Sequence, residues 1–113
     1  MATETEMAGW VALLDAMDAR DVAGEAVSIL QSPARVAREL GQEHYNRVAN
    51  GDAALLAKAR ALAKAADADF RGLRQSAGEV DYDALAAVRP DTAQDVIAAR
   101  AVAAARTLLA EVA

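Results

Sequence analysis

With 113 residues and no cysteine, this chain cannot carry a disulfide framework, a thiolate zinc site or a cysteine nucleophile. Hydrophobic residues make up 55% of the sequence, aromatic residues only 4%, and 32 positions are alanine, so the summed intrinsic propensity favours helix. The formal net charge of -5 opposes non-specific attraction to nucleic acid and to anionic lipid, which makes both unfavourable partners.

The two ends of the chain bear on its localisation. The first residues, MATETEM, are acidic and lack the basic and apolar regions of a secretory signal. The tract AARAVAAARTLLAEVA is interrupted by Arg100, Arg106 and Glu111, and it is shorter than the roughly 20 apolar residues that span a bilayer. We therefore expect one cytoplasmic domain over residues 1–113, with no membrane-spanning segment.

The first third of the chain predicts two helical segments. Thr3 or Thr5 can cap the first helix, after which apolar residues recur at steps of three and four. Residues 18–21 predict a break or kink, and a second, shorter apolar stripe runs from Val22 to Leu30. The apolar face of the first segment consists of Met7, Trp10, Val11, Leu14 and Met17.

A further helix is predicted from Ser32, a favourable N-cap followed by proline, to an Asn-Gly stop signal. It contains the stretch LGQEHYNRVANG and the only histidine of the chain. We interpret His44 as a residue near a helix C-terminus, where it interacts favourably with the helix dipole. A ligand pocket at His44 and Tyr45 is the alternative, although adjacent helical residues point about 100° apart and cannot converge on one small substrate.

The same stretch, ARVARELGQEHYNRVANG, resembles the helix-turn-helix of DNA-binding proteins. In that unit an alanine is followed four residues later by a turn glycine, as Ala37 and Gly41 are here. The resemblance implies a DNA-binding regulator that uses residues 33–50. Two positions depart from it, because Gln42 replaces the apolar residue that normally follows the glycine, and Arg47 replaces a buried apolar residue. DNA binding is therefore an alternative function, opposed also by the acidity of the chain.

The clearest amphipathic pattern is the segment DAALLAKARALAKAADADFRGLRQ, which Asp52 can cap. A mostly basic stripe runs outside its apolar face, and we interpret this stripe as the solvated side of the helix. Docking of an acidic partner helix or of phosphates is its alternative function. The apolar face consists of Leu56, Ala59, Ala63, Ala66, Phe70 and Leu73, widened by Leu55 and Leu62, and the basic stripe consists of Arg60, Lys64, Arg71 and Arg74.

The connector SAGEVDYDALAAVRPD contains a short helical turn that Asp81 can cap, and Asp91 or Thr92 then starts a last helix. This helix has two adjacent apolar strips and one charged residue per turn or fewer, which is more apolar surface than a solvated helix normally exposes. We expect it to be central to a bundle or to supply an oligomer interface. The interface candidates are Ile97, Ala98, Val102, Ala105, Leu109 and Val112.

No group of residues typical of catalysis or of a cofactor site is present. One histidine cannot supply the two Glu-x-x-His units of a di-metal helical bundle. Glu39 and Glu43, one helical turn apart, are interpreted as solvated carboxylates beside arginines. We therefore predict no enzymatic activity, no cofactor and no metal. A small-molecule carrier stays open as an alternative, with a pocket lined by Trp10, Tyr45, Phe70 and Tyr82.

The charge is divided into blocks, acidic over residues 1–31, basic over residues 32–76 and acidic again over residues 77–113. We expect these blocks to pair with one another inside the fold. The sequence as a whole predicts an all-α fold, a small antiparallel bundle of four main helices and one short helix. The predicted function is that of a non-enzymatic interaction or assembly protein, a small subunit or adaptor that binds a protein partner or itself through the apolar face of the last helix.

Overall fold

The computed structural model describes residues 2–112, and these form six α-helices and one 3₁₀ turn. No strand occurs within residues 2–112, and the predicted all-α fold class is confirmed. Three helices are long and three are short, where the sequence predicted four main helices and one short helix. The helices are α1 (Glu4–Leu30), α2 (Pro33–Glu39), α3 (Tyr45–Ala49), α4 (Ala53–Ala77), α5 (Tyr82–Val88) and α6 (Gln94–Glu111), with the 3₁₀ turn at Gln42–His44.

The central helix is α1, and both α4 and α6 pack along it. α4 follows a hook formed by α2, the 3₁₀ turn and α3, and it ends at Ala77, whose carbonyl accepts a hydrogen bond from Trp10 near the start of α1. α6 begins beside Asp18 and ends at Glu111, which pairs with Lys58 near the start of α4. The three long helices therefore run up, down and up, the order that short connections favour.

The buried side chains form two clusters. The larger lies where α1 ends, and the smaller brings Trp10 and Leu14 of α1 against Leu85 of α5. Because full burial of one large aliphatic side chain stabilises the folded chain by about 1.5–3 kcal/mol, these clusters are the main source of stability. The larger cluster consists of Ala26, Ile29, Leu30, Val36, Leu40, Leu55, Ala59, Ala101, Ala105, Leu108 and Leu109.

Four helices begin at the predicted caps. Thr3 forms a capping box with Glu6, in which each residue's backbone N–H donates to the side chain of the other. Ser32, Asp52 and Asp81 each accept a hydrogen bond from the backbone N–H three residues further on. These side chains satisfy N–H groups that have no partner inside the helix, which is why local sequence is sufficient to place these helix starts.

The break predicted at residues 18–21 is wrong, because α1 continues without interruption through them. Asp18 lies on a buried face of α1 and is only 7% exposed. Its carboxylate accepts hydrogen bonds from Arg89 Nη2 at 2.6 Å and from Thr92 Oγ1 at 2.5 Å, while Arg89 also pairs with Asp15 at 3.1 Å. A buried aspartate is tolerated inside the helix because a cation from another segment balances its charge. We call these four residues the Asp18 clamp.

The Asp18 clamp also explains why α6 begins later than predicted. The predicted caps are Asp91 and Thr92, but α6 begins at Gln94, and its N-cap residue Ala93 provides no side-chain cap. The hydroxyl of Thr92 donates to Asp18 and accepts from Arg89. The Thr92 side chain, which local propensity assigns to the N-cap of α6, is thus engaged in a tertiary contact instead.

The helix predicted over residues 33–50 is interrupted at Gly41, whose φ of 129° lies far from helical values. A side chain at this position would be strained by that φ whatever the space around it, so the turn requires glycine; the atoms closest to a Cβ there belong to the exposed carboxylate of Glu43, which could move aside. α2 therefore ends at Glu39, and the chain turns back through the 3₁₀ turn into α3. His44 directly precedes α3, so its interpretation as a residue near a helix C-terminus is wrong.

Breaking the Asp18 clamp should destabilise the protein more than breaking an exposed ion pair. Arg89→Leu leaves the Asp18 carboxylate buried without its cation, and we expect it to lower the free energy of unfolding by about 2–3 kcal/mol. The control is Arg71→Leu, which removes an exposed pair with Asp67 and should cost less than about 0.5 kcal/mol. Urea denaturation at neutral pH measures both values, and equal losses in the two variants would contradict the role of the clamp.

The Asp18 clamp should also make stability depend on pH. Burial alone would raise the pKa of Asp18, but the hydrogen bonds from Thr92 and Arg89 and the charge of Arg89 outweigh it and hold the pKa below the usual 3.8. The folded chain therefore binds this proton less readily than the unfolded chain does. The stabilisation is complete above the unfolded pKa and is lost as the pH falls through the folded pKa.

We expect the stability difference between the wild type and Asp18→Asn to shrink on acidification from about pH 6 to about pH 2. Thermal unfolding followed by circular dichroism at several pH values measures this difference. The exposed Asp83, replaced in Asp83→Asn, provides the control, and its difference from the wild type should change little over the same range. A difference for Asp18→Asn that is independent of pH would show that the clamp is not the acid-sensitive element.

Candidate functional site

Most of the interface candidates on α6 lie inside the fold. Ile97 is 7% exposed, Ala105 is 0% exposed and Leu109 is 5% exposed. Val112 is half-buried against the larger cluster, and Val102 is also half-buried, whereas Ala98 is exposed. Burial within the fold is therefore at odds with the interface role predicted for Ile97, Ala105 and Leu109, whereas Ala98 and part of Val102 stay accessible.

The physical reason is that α6 is covered on two sides. It packs against α1, and it also contacts the hook, where Arg106 donates to the Glu39 carbonyl and Arg47 Nη1 donates to the Leu109 carbonyl at 2.8 Å. Except at Ala98 and part of Val102, neighbouring segments cover both apolar strips of the helix. Of the two outcomes that the sequence allowed, a central helix and an oligomer interface, the fold uses the first for this surface.

The pocket candidates His44 and Tyr45 do not line any of the clefts described below. The His44 imidazole lies 3.7 Å from the exposed carboxylate of Glu43, and Tyr45 is 39% exposed. The other aromatic side chains are dispersed. Trp10 and Tyr82 line separate clefts. Phe70 packs under the guanidinium of Arg20, whose central carbon lies 4.2 Å from the centroid of the Phe70 ring. The four aromatic residues predicted to line one pocket are therefore not brought together.

Residues 33–50 form two short helical arms joined by a turn, as the helix-turn-helix resemblance implied, but the second arm is unsuited to DNA. α3 spans only Tyr45–Ala49. Its one cation, Arg47, donates to Asp52 at 2.6 Å and to the Leu109 carbonyl, so it is held against the protein. A recognition helix needs side chains free to reach base edges and phosphates, and this arm offers exposed Asn46 and Tyr45 without a free cation.

The basic stripe on α4 is exposed along its whole length. Among residues 2–112, only its member Arg71 is in an ion pair, with Asp67 of the same helix at 2.8 Å. The expected pairing between charge blocks occurs elsewhere, at Arg35 with Glu25 and at Lys58 with Glu111. The stripe of Arg60, Lys64, Arg71 and Arg74 is thus a solvated face of the helix, and no acidic element of α1 covers it.

Two further features of the described part of the chain concern ligands and membranes. Within residues 2–112, no group of three or more histidine and carboxylate side chains converges in a way that could hold a metal ion. Over the same residues, no helix has the combination of length and apolarity needed to cross a bilayer.

An open apolar groove, which we call the interhelix groove, runs between α4 and α6 with α1 as its floor. It has a volume of about 200 Å³, and on its α4 wall the side chain of Leu62 is 50% exposed. Beyond Ala19 and Val22 it adjoins a separate polar pocket, lined also by Asp15 and Asp18 of the clamp and by Arg100 of α6. Every lining side chain is apolar: Ala19, Val22, Ala23 and Ala26 from α1, Ala59 and Leu62 from α4, and Ala104 and Leu108 from α6.

The sequence pattern does not predict the interhelix groove, although Leu62 belongs to the apolar pattern of α4. Leu55 and Leu62 are two turns apart on the same side of the helix, yet Leu55 is 1% exposed and Leu62 is 50% exposed. The hook covers the end of the bundle where Leu55 lies, and nothing in residues 2–112 covers Leu62. Periodicity alone cannot separate these two positions.

A larger cleft of about 710 Å³ lies on another side of α1, at the start of α6. It is wide and open, and the charged groups around it already have partners within the chain. Arg20 pairs with Asp21 at 3.1 Å, and Glu25 pairs with Arg35 at 2.6 Å. A ligand would have to displace these contacts, so we regard the interhelix groove as the better candidate site.

Comparisons of the chain with protein-family models, with curated proteins and with solved structures each found no significant match. The functional interpretation therefore depends on the geometry of this chain.

The burial of Leu109 makes a testable distinction on α6. Leu109→Glu places a carboxylate in the core, and we expect it to lower the free energy of unfolding by more than about 3 kcal/mol. Ala98→Glu adds the same charge to the same helix at an exposed position and should change the free energy of unfolding by less than about 0.5 kcal/mol. Chemical denaturation measures both, and a Leu109→Glu protein as stable as Ala98→Glu would contradict the buried position of Leu109.

Proposed function

We propose that this protein is a non-enzymatic interaction protein that binds an α-helix in the interhelix groove. The observation that carries the proposal is the continuous apolar lining of the groove, with Leu62 half exposed on its wall. An exposed apolar surface of this kind, bounded by polar helix faces, is typical of protein interaction sites. Laying the apolar face of an amphipathic helix into such a groove is a common mode of recognition.

The shape and composition of the groove support a helix as its occupant. The floor carries Ala19, Ala23 and Ala26, spaced at three and four residues along α1. Short side chains allow helix axes to approach near the lower end of the usual 8–10 Å range. A helix in the groove would contact α1, α4 and α6 together and complete a four-helix arrangement around the exposed Leu62. A compact polar ligand would find no hydrogen-bonding side chain in this lining.

The experiment is a selection from a display library of amphipathic helical peptides, with the wild type as target and Leu62→Glu for counter-selection. We expect enriched peptides with a stripe of leucine or alanine that bind the wild type with micromolar affinity and bind Leu62→Glu at least ten-fold more weakly. Val88→Glu is the matched control, since Val88 is 63% exposed on α5 outside the groove, and it should bind as the wild type does. Failure to enrich any helix, or peptides indifferent to Leu62→Glu, would overturn the proposal.

A further inference from the structure

Each of the two helices that form the walls of the interhelix groove carries a cation at one end and an anion at the other. On α4, Lys58 precedes Leu62 by four residues and Asp69 follows it by seven, so both lie on the same edge of the helix as Leu62. On α6, Arg100 lines the polar pocket that adjoins one end of the groove, and Glu111 lies near the other end. Each wall therefore begins with a cation and ends with an anion along its own direction.

The spacing of these charges is the same on both walls. Lys58 and Asp69 are separated by eleven residues, as are Arg100 and Glu111, which corresponds to about 16 Å along a helix. Lys58 Nζ lies 2.8 Å from the carboxylate of Glu111, which sets the two helices in register. Because α4 and α6 run in opposite directions, the midpoints of the two pairs lie at the same height in the groove.

This pattern is complementary to itself. A twofold axis in the plane of the groove, crossing the helices at that common midpoint, would place Lys58 of one copy against Asp69 of the other. The same rotation would place Arg100 against Glu111, and Leu62 beside the small side chain of Ala65. A twofold interface requires such self-complementarity, because each surface patch meets its own equivalent.

We propose that the partner covering the interhelix groove is the same surface of a second copy of this chain, in a dimer in which the two grooves face each other and α4 packs against α4 and α6 against α6, both antiparallel. This inference rests on the proposed function and names the partner of the same site. Asp69 is the charge that gains most from it, because it forms no ion pair within residues 2–112, whereas the charge of Arg100 already acts on Asp18.

The size of the surface sets the strength expected. α6 has 18 residues and is about 27 Å long, so a face of that length and about 20 Å width covers roughly 500 Å² per chain. The two chains together would bury about 1,000 Å², which is near the lower end for specific interfaces. The dimer should therefore form reversibly, and its fraction should rise with protein concentration.

The test is sedimentation equilibrium over a hundred-fold range of concentration. The wild type should pass from the monomer mass of 11.8 kDa toward twice that mass. Leu62→Glu should stay monomeric, and Val88→Glu should behave as the wild type, with circular dichroism verifying that all three are folded. A wild type that stays monomeric throughout, or Leu62→Glu that dimerises as well as the wild type, would overturn the dimer.

Charge reversal tests the orientation. Lys58→Glu should weaken dimerisation about ten-fold through repulsion from Asp69 of the second copy. Lys58→Glu combined with Asp69→Lys should restore it, because the reversed pair is again complementary. Both variants lack the Lys58–Glu111 pair within one chain, so the difference between their dimer affinities reports the contact between the two copies. In the other possible twofold arrangement, α4 would lie over α6 of the second copy. The glutamate introduced at position 58 would then face Glu111 of the second copy in both variants, and Asp69→Lys could not restore dimerisation. Absence of rescue would therefore overturn the antiparallel arrangement.

Cross-linking provides an independent measurement, since the chain contains no native cysteine. Ala65 and Ala68 are both exposed, but only Ala65 lies on the edge of α4 that borders the groove. Ala65→Cys should give a covalent dimer with a short bismaleimide, and Ala68→Cys should give much less at equal concentration. The reverse preference would overturn the arrangement. A chain that fails these dimer tests but binds selected peptides through Leu62 would lose this inference and keep the proposed function.

Discussion

The continuity of α1 and the position of α6 both depend on how the buried carboxylate of Asp18 is balanced. An unpaired aspartate at this depth would oppose folding. Arg89 and Thr92 reach it from the connector between α5 and α6, and their hydrogen bonds attach that connector to the middle of α1. α6 therefore starts beside Asp18 and must run along the second half of α1. The interhelix groove lies between this helix and α4 as a result.

The distribution of large side chains explains why the groove stays open. The sequence has many alanines and few aromatic residues, so the core has to be closed by a limited number of large aliphatic side chains. Most of these, including Ile29, Leu30 and Leu55, are concentrated where α1 ends and where the hook covers α4 and α6. Along the middle of α1 the helices meet through alanine, which forms close contacts but leaves little to fill the space between α4 and α6. Leu62 stands at the edge of that space, half exposed.

The charged residues have two separate roles in this fold. Some act within the chain, such as Arg47, which links the hook to Asp52 and to the end of α6, and Arg89 in the clamp. Others lie on the surface around the groove in an arrangement that is complementary to itself, and two of these, Lys58 and Glu111, also pair with each other. Net charge alone conceals this arrangement, since an excess of acids argues only against polyanionic partners. The position of each charge along its helix is what bears on a partner that is another helix, or a second copy of this chain.

The sequence by itself determined the helical class and most helix starts, because periodicity and side-chain caps at Thr3, Ser32, Asp52 and Asp81 act within a few residues of one another. Local signals misplaced the elements where distant groups compete, as at Asp18, at Thr92 and at Gly41. They also could not decide whether the apolar residues of α6 are central to the bundle or supply an interface. Which apolar strip is covered depends on contacts between segments far apart in the chain. The apolar periodicity of a helix is the same whether a neighbouring helix or water covers that face. Only the tertiary structure decided that Leu109 is core and that Leu62 is surface.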